Sequence, residues 1–130
     1  MIYTTYFAKL RNLPDNVTPV SICLNPPAYY TGLQFKTLAP PQALLNMWHE
    51  SHNREAYVRW FKSTVLDKLD QTDTAMTLYE MVGKGNDVAL VCFEKSGAFC
   101  HRNLVAEWFK AANIPCEEYG EDKTIPLFEL

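Results

Sequence analysis

Five side chains that could do chemistry lie close together in the sequence, beginning at Cys92. Cys92 and Glu94 are two residues apart, so on a strand both would point to the same face. Cys100, His101 and Arg102 follow a short glycine-containing loop. A thiol beside Arg or His can become a nucleophile, a carboxylate or imidazole can move a proton, and a guanidinium can hold an anion. We therefore predict the first four as catalytic residues and Arg102 as a ligand-binding residue.

Structural roles compete with these chemical ones. Cys92 at the end of an apolar strand can be a small core residue, and Arg102 can belong to a structural ion pair. Successive helical residues project about 100° apart, so Cys100 and His101 are not expected to form a catalytic dyad if both are helical. The segment also matches neither a phosphatase-type nor a rhodanese-type thiol loop, since Val91 stands where the phosphatase loop has His.

Zinc is a third interpretation of this segment, with a ligand set drawn from Cys92, Cys100, His101, Cys116, His49 and His52. The spacing of these residues matches none of the common structural zinc arrangements. There is also no glycine-rich nucleotide fingerprint. We therefore predict no metal and no cofactor.

Composition limits the classes of protein. The chain has 130 residues and a net charge of −3, and 48% of its residues are apolar, which fits one folded domain and excludes intrinsic disorder. A pI near 5.6 argues against nucleic-acid binding driven by bulk charge. The four cysteines form no CxxC pair, and we expect them to be reduced in a cytoplasmic protein without a membrane span.

Hydrophobic patterning predicts the elements that position the chemical segment. Strands are expected at 2–7, 19–24, 87–93 and 116–119, and helices from Pro40 or Pro41, at 54–69, after a cap at Thr72 or Asp73, and at 100–112. Residues 28–39 would form a long loop or a short extra strand. The prediction is a single α/β domain over 1–119, with a small, mainly parallel central sheet flanked by helices on both faces, and a tail at 120–130.

This architecture predicts where a ligand would bind. Strand 87–93 is continuously apolar and leads through a short loop into a helix. Ligands of open α/β sheets bind outside the carboxyl ends of the strands, and a helix N-terminus there favours anions. The aromatic residues Tyr29, Tyr30, Trp48 and Tyr57 could stack on a ring, although packing beneath the long loop is the more common role of such residues.

The stretch Leu90-Val-Cys-Phe-Glu-Lys followed by Phe99-Cys-His-Arg-Asn-Leu-Val-Ala-Glu-Trp108 resembles the signature of a family of small bacterial and phage proteins, domain of unknown function 488. In that family a strand ending in Cys-x-Glu-Lys precedes Cys-His-Arg and a helix. Upstream segments that include Tyr30 and Lys36 are similar to a short-chain branch of it. Longer members carry Asp-Val-Arg after strand two, where this chain has Cys23-Leu-Asn25.

The resemblance implies an α/β fold and a site at the Cys, Glu and Cys-His-Arg positions, but no assigned activity. Lys95, Tyr30 and Lys36 join Arg102 as ligand-binding candidates. We expect a small anionic, phosphate-bearing ligand, related to a nucleotide or a nucleic-acid end, with thiol or acid–base catalysis at the same site. The alternative is a non-catalytic interaction module in which the Cys-His-Arg block is structural.

Overall fold

The computed structural model describes residues 1–93 and 99–120. Five strands are present in these ranges: β1 Ile2–Tyr6, β2 Val17–Ser21, β3 Leu33–Gln34, β4 Asp87–Cys92 and β5 Cys116–Glu118. Four α-helices accompany them: α1 Gln42–Ser51, α2 Arg54–Thr64, α3 Gln71–Val82 and α4 His101–Ala111. Short 3₁₀ segments occupy Phe7–Asn12, Lys36–Leu38 and Leu66–Lys68. No helix in the described ranges is long and apolar enough to cross a bilayer.

The strands form one sheet in the order β3-β2-β4-β1-β5, and every pairing is parallel. β4 lies at its centre, and all its residues from Val88 to Cys92 are buried. A strand buried on both faces explains why this segment is a continuous apolar run. The predicted α/β domain is confirmed, and its sheet is parallel throughout.

The helices pack against the sheet through a shared apolar core. Each α-helix contributes at least one side chain with no exposed surface, and these lie in one cluster with the strand residues Val20, Val88 and Leu90: Leu44, Phe61, Leu78 and Phe109. Burial of such side chains contributes about 1.5–3 kcal/mol each to folding. The core therefore holds all four helices against the strand that ends at Cys92.

Two predicted helix boundaries are wrong. The helix expected over 54–69 ends at Thr64, and a separate 3₁₀ turn follows at Leu66–Lys68. The next helix is capped by Asp70, whose carboxylate accepts a hydrogen bond from the Asp73 N–H at 2.9 Å. Asp70 is an equally good capping residue by type, and tertiary packing selects between such neighbours.

β2 begins two residues and ends three residues earlier than predicted, and it contains Pro19. The Ile22 N–H donates to Val91 O of β4, whereas Ser21 O accepts from the Phe35 N–H on the other side of the strand. Because adjacent strand residues alternate in direction, Pro19 faces the same side as Ser21, and β3 pairs with β2 only from Val20 onward. The missing N–H of Pro19 therefore removes no ladder hydrogen bond.

Candidate functional site

The strand and the helix predicted on either side of the site are present as β4 and α4. β4 ends at Cys92, and Cys100 is the N-cap of α4 with extended backbone angles, φ −153° and ψ 148°. Glu94 and Lys95, a predicted catalytic residue and a predicted ligand-binding residue, lie outside the described residues. The end of β4 and the N-cap of α4 thus bring the two cysteines together at the carboxyl edge of the sheet.

A disulfide joins Cys92 to Cys100, so the expectation that all four cysteines are reduced is wrong for these two. The other two, Cys23 and Cys116, are buried thiols. Spacing rules based on CxxC did not identify the pair because its members are eight residues apart, on a strand end and a helix cap. Both sulfur-bearing residues are almost fully buried.

His101 is the first residue of α4, and its buried ring lies between the carbonyl group of Ile22 and the sulfur of Cys100. Its Nε2 lies 2.8 Å from the carbonyl oxygen of Ile22, and its Nδ1 lies 3.8 Å from Cys100 Sγ. Burial lowers the pKa of His101 from 6.5 to about 4, with a further small lowering by Arg102, and the bond to Ile22 opposes both. The imidazole is therefore neutral at pH 7.

The argument against a dyad of Cys100 and His101 applied only if both residues were helical, and that condition is not met. The prediction assumed two successive helical residues, but Cys100 has extended backbone angles and stands before the helix. An extended N-cap is the usual conformation at a helix start. Cys100 Sγ and the imidazole consequently approach to a distance at which a proton or a metal ion could lie between them once the disulfide is reduced.

Arg102 has no exposed surface and is held by groups of the protein itself. Its Nε and Nη2 each donate to a carboxylate oxygen of Glu118 at 3.1 Å, and its Nη1 donates to Cys92 Sγ at 3.2 Å. Glu118 also accepts from the Thr4 hydroxyl at 2.7 Å. The bidentate pair joins α4 to β5 and directs one guanidinium nitrogen at the sulfur. Contact of Arg102 with a ligand stays a prediction.

A cavity of about 420 Å³ opens at this edge of the sheet. Cys92, Cys100 and His101 form part of its lining, together with residues that follow β2 and with side chains of α1 and α2. Most of the aromatic lining belongs to one cluster of rings: Trp48 and Phe99 have centroids 4.9 Å apart, and Tyr57 lies 5.2 Å from Phe99. The structure therefore places a ring-lined cavity against the two sulfurs.

The remaining ligand-binding candidates lie elsewhere. Tyr30 packs in the apolar cluster that contains Cys92 and Cys100, but its hydroxyl donates to the carbonyl oxygens of Pro19 and Leu33. Burial raises the pKa of Tyr30 to about 12. Lys36 is exposed on a 3₁₀ segment, and neither residue is part of the cavity lining.

Sequence reasoning identified some cavity residues and missed others. Trp48 and Tyr57, two of the four aromatic residues considered for stacking, line the cavity, whereas Tyr29 is 72% exposed outside it. Phe99 and Glu118 were missed. Phe99 adjoins the Cys-His-Arg block, so the family signature could have indicated it, but nothing local in the sequence links Glu118 to Arg102.

The ligand atoms of Cys92, Cys100 and His101 all lie within 4.8 Å of one another, and all three residues are buried. Two sulfurs and an imidazole are donors suited to zinc or another soft metal ion. The structure thus brings together the three donors that are common to all the zinc ligand sets considered from the sequence.

One family model matches the chain. It is described as DUF488-N3a, the active DUF488-N3 subclade, and it covers residues 9–113. This range contains the whole cavity lining and excludes β5 with Glu118. Neither the curated proteins nor the solved structures contain a match to the chain.

Proposed function

The chain belongs to the DUF488 family, and from this premise we propose that it binds a small, nucleotide-like anion in the cavity beside Cys92, Cys100 and His101. The observation that carries the proposal is the combination of a cavity of about 420 Å³ with a wall of aromatic rings and a floor of sulfur and imidazole. Clefts of this size with few convergent polar groups are the usual form of small-molecule sites.

The wall supports a ligand with a planar ring. Trp48 and Phe99 lie 4.9 Å apart with an interplanar angle of 38°, and both face the cavity with Tyr57. Aromatic side chains hold a nucleobase by stacking, which is worth about 1–3 kcal/mol per base. A ligand with a planar ring would therefore bind these aromatic side chains more tightly than an aliphatic ligand of the same size.

The start of α4 supports an anionic group. Cys100 and His101 form the N-cap and first turn of an 11-residue helix and line the cavity. A helix N-terminus offers backbone N–H donors and the positive end of the helix dipole. The Arg102 guanidinium donates to Cys92 Sγ, but its charge is paired with Glu118, so the attraction for an anion comes from the helix N-terminus. A phosphate group bound at the N-terminus of α4 would place the planar ring of the ligand against Trp48.

The chemistry available at the floor is that of a thiol and a neutral imidazole. When the disulfide is reduced, the Arg102 donor stabilises a Cys92 thiolate, which is the attacking form of cysteine. His101 Nδ1 can accept a proton from Cys100. The description of the matched subclade as active fits a site with such groups.

Binding is tested by calorimetry with a nucleoside monophosphate, the parent nucleoside and inorganic phosphate as separate probes. The monophosphate is expected to bind the wild-type protein most tightly. Trp48→Ala should weaken it by roughly 5- to 150-fold, the equivalent of one lost stacking contact. Trp108→Ala is the matched control, because Trp108 is a partly buried tryptophan of α4 outside the lining. Equal binding by both variants would refute the proposal.

A structural role for the Cys-His-Arg block is the second candidate, and the Arg102–Glu118 pair specifically favours it. The side chains in this pair are 1% and 13% exposed, and the pair ties the start of α4 to β5. His101 likewise ties the same turn to the residue after β2. In this interpretation the block serves to brace the carboxyl edge of the sheet, and no probe would bind the cavity.

A further inference from the structure

We propose that the reduced protein binds one zinc ion through Cys92, Cys100 and His101, leaving one coordination position open to the cavity. Zinc takes nitrogen and sulfur donors in a tetrahedron, and sites with three protein ligands keep the fourth position for a small molecule. The three donor atoms are already within 4.8 Å of one another. Metal binding goes beyond the proposed nucleotide binding and does not depend on it.

Two distances at the site are compatible with an ion once the disulfide is reduced, because only then can the two bonded sulfurs separate. With Zn–S near 2.3 Å and Zn–N near 2.0–2.1 Å, the ligand atoms of a tetrahedral site lie roughly 3.5–3.8 Å apart. Cys100 Sγ and His101 Nδ1 are 3.8 Å apart. The Cα atoms of Cys92 and Cys100 are 7.4 Å apart, above the usual disulfide span of about 4.4–6.8 Å. The backbone therefore leaves room for an ion between the two sulfurs.

The imidazole is already oriented as a metal ligand. The Ile22 carbonyl oxygen, 2.8 Å from His101 Nε2, can only accept, so Nε2 carries the proton and Nδ1 keeps its lone pair. Metal-ligating histidines characteristically donate their other ring N–H to a carbonyl or carboxylate in this way. The Phe61 ring, 5.6 Å from the imidazole centroid, packs edge-on against it and fixes its plane.

One thiolate ligand also has an outer partner. Arg102 Nη1 donates to Cys92 Sγ at 3.2 Å, and the bidentate contact with Glu118 holds that guanidinium in place. A hydrogen bond to a coordinating thiolate stabilises its charge and orients it. Two of the three ligands thus have the outer contacts that metal sites require.

The disulfide and the ion exclude each other, because a sulfur in a disulfide is no longer a thiolate donor. Reduction by a phosphine breaks the S–S bond with two electrons. Water supplies the two thiol protons and the oxygen of the phosphine oxide. Binding of Zn²⁺ then releases the two thiol protons to solvent. Occupancy should therefore be high in the reduced protein and lost on oxidation.

Cobalt binding to the full chain gives the first test. After phosphine reduction, Co²⁺ should produce a thiolate-to-cobalt charge-transfer band that saturates at one ion per chain and disappears on addition of Zn²⁺. Cys92→Ser and Cys100→Ser should each remove most of the band. Cys23→Ser is the matched control, since Cys23 is a buried thiol that lines the same cavity and is not among the three donors.

Alkylation mapping of the wild-type protein gives a test that needs no variant. Zinc at 100 times its Kd should slow labelling of Cys92 and Cys100 by about 100-fold, because only about one site in a hundred is then empty. Unchanged labelling rates, a band in the oxidised protein, or loss of the band in Cys23→Ser would each overturn the proposal. No organic ligand is present in either test, so a failure of nucleotide binding leaves the result unaffected.

Discussion

Replacing Glu118 with Gln should destabilise the domain strongly, because it breaks a buried, bidentate ion pair with the Arg102 guanidinium. The Arg102 side chain is 1% exposed, and Glu118 is 13% exposed. Solvent screening, which makes surface ion pairs worth little, therefore hardly acts on this pair. Breaking a buried pair typically costs about 3–5 kcal/mol, because the remaining charge is left buried without a counter-charge.

The structure places the expected loss near the lower end of that range. Gln keeps the shape of Glu118 and one oxygen that can accept from Arg102 or from the Thr4 hydroxyl, whereas the second acceptor becomes a donor facing Nη2. We expect a loss of about 3 kcal/mol in the free energy of unfolding. For a chain of this length that corresponds to a fall of roughly 10 °C in Tm.

Urea denaturation followed by circular dichroism measures this loss at a fixed redox state. Glu107→Gln is the matched control, since Glu107 and Lys110 form an exposed pair at 3.5 Å on the same helix. That change should cost less than about 0.5 kcal/mol. Equal stabilities of the two variants would refute the account of Arg102 as a buried, paired charge. A large loss would show that the pair stabilises the turn whether or not Arg102 also acts on a ligand.

Two further predictions concern buried groups near the cavity. Because His101 has a pKa of about 4 in the fold and 6.5 when unfolded, the unfolded chain binds more protons between these values. Stability should therefore fall as pH drops from 6.5 to 4, by roughly 3 kcal/mol in metal-free protein, and denaturation of His101→Asn should show a correspondingly flatter pH dependence. Tyr30→Phe should cost about 1–3 kcal/mol, because the carbonyls of Pro19 and Leu33 lose their donor. Nucleotide binding should be unchanged, and weaker binding with intact stability would instead support Tyr30 as a ligand residue.

The elements could be predicted from the sequence because their signals are local. The apolar run at 87–93 and the helical spacing of Val58, Phe61 and Val65 depend only on neighbouring residues. The parallel order of the strands could be inferred only in outline. It depends on which strands meet in space, and β1 pairs with β4 across more than eighty residues. Local patterning does not determine that pairing.

The same difference between local and long-range information explains why only part of the candidate site was predicted. Residues within the turn, such as Cys92 and Cys100, were found because they are close in the sequence. The partners that determine their chemistry come from other elements: Glu118 from β5, the Ile22 carbonyl from the end of β2, and Trp48 from α1. An extended N-cap at Cys100 could also have been expected from its place before the helix, and it changes the relation of the thiol to His101.

The strand order also constrains how the chain can be made. β1 and β2 are complete by residue 21, yet they do not pair with each other, and β4 inserts between them. During synthesis both early strands therefore lack β4, the neighbour that they share, until residue 92 has left the ribosome. Pairings this distant in sequence form slowly. Apolar residues of the early strands are exposed in the meantime. β4, the strand that ends at the cavity, is thus also the strand that joins β1 and β2 into one sheet.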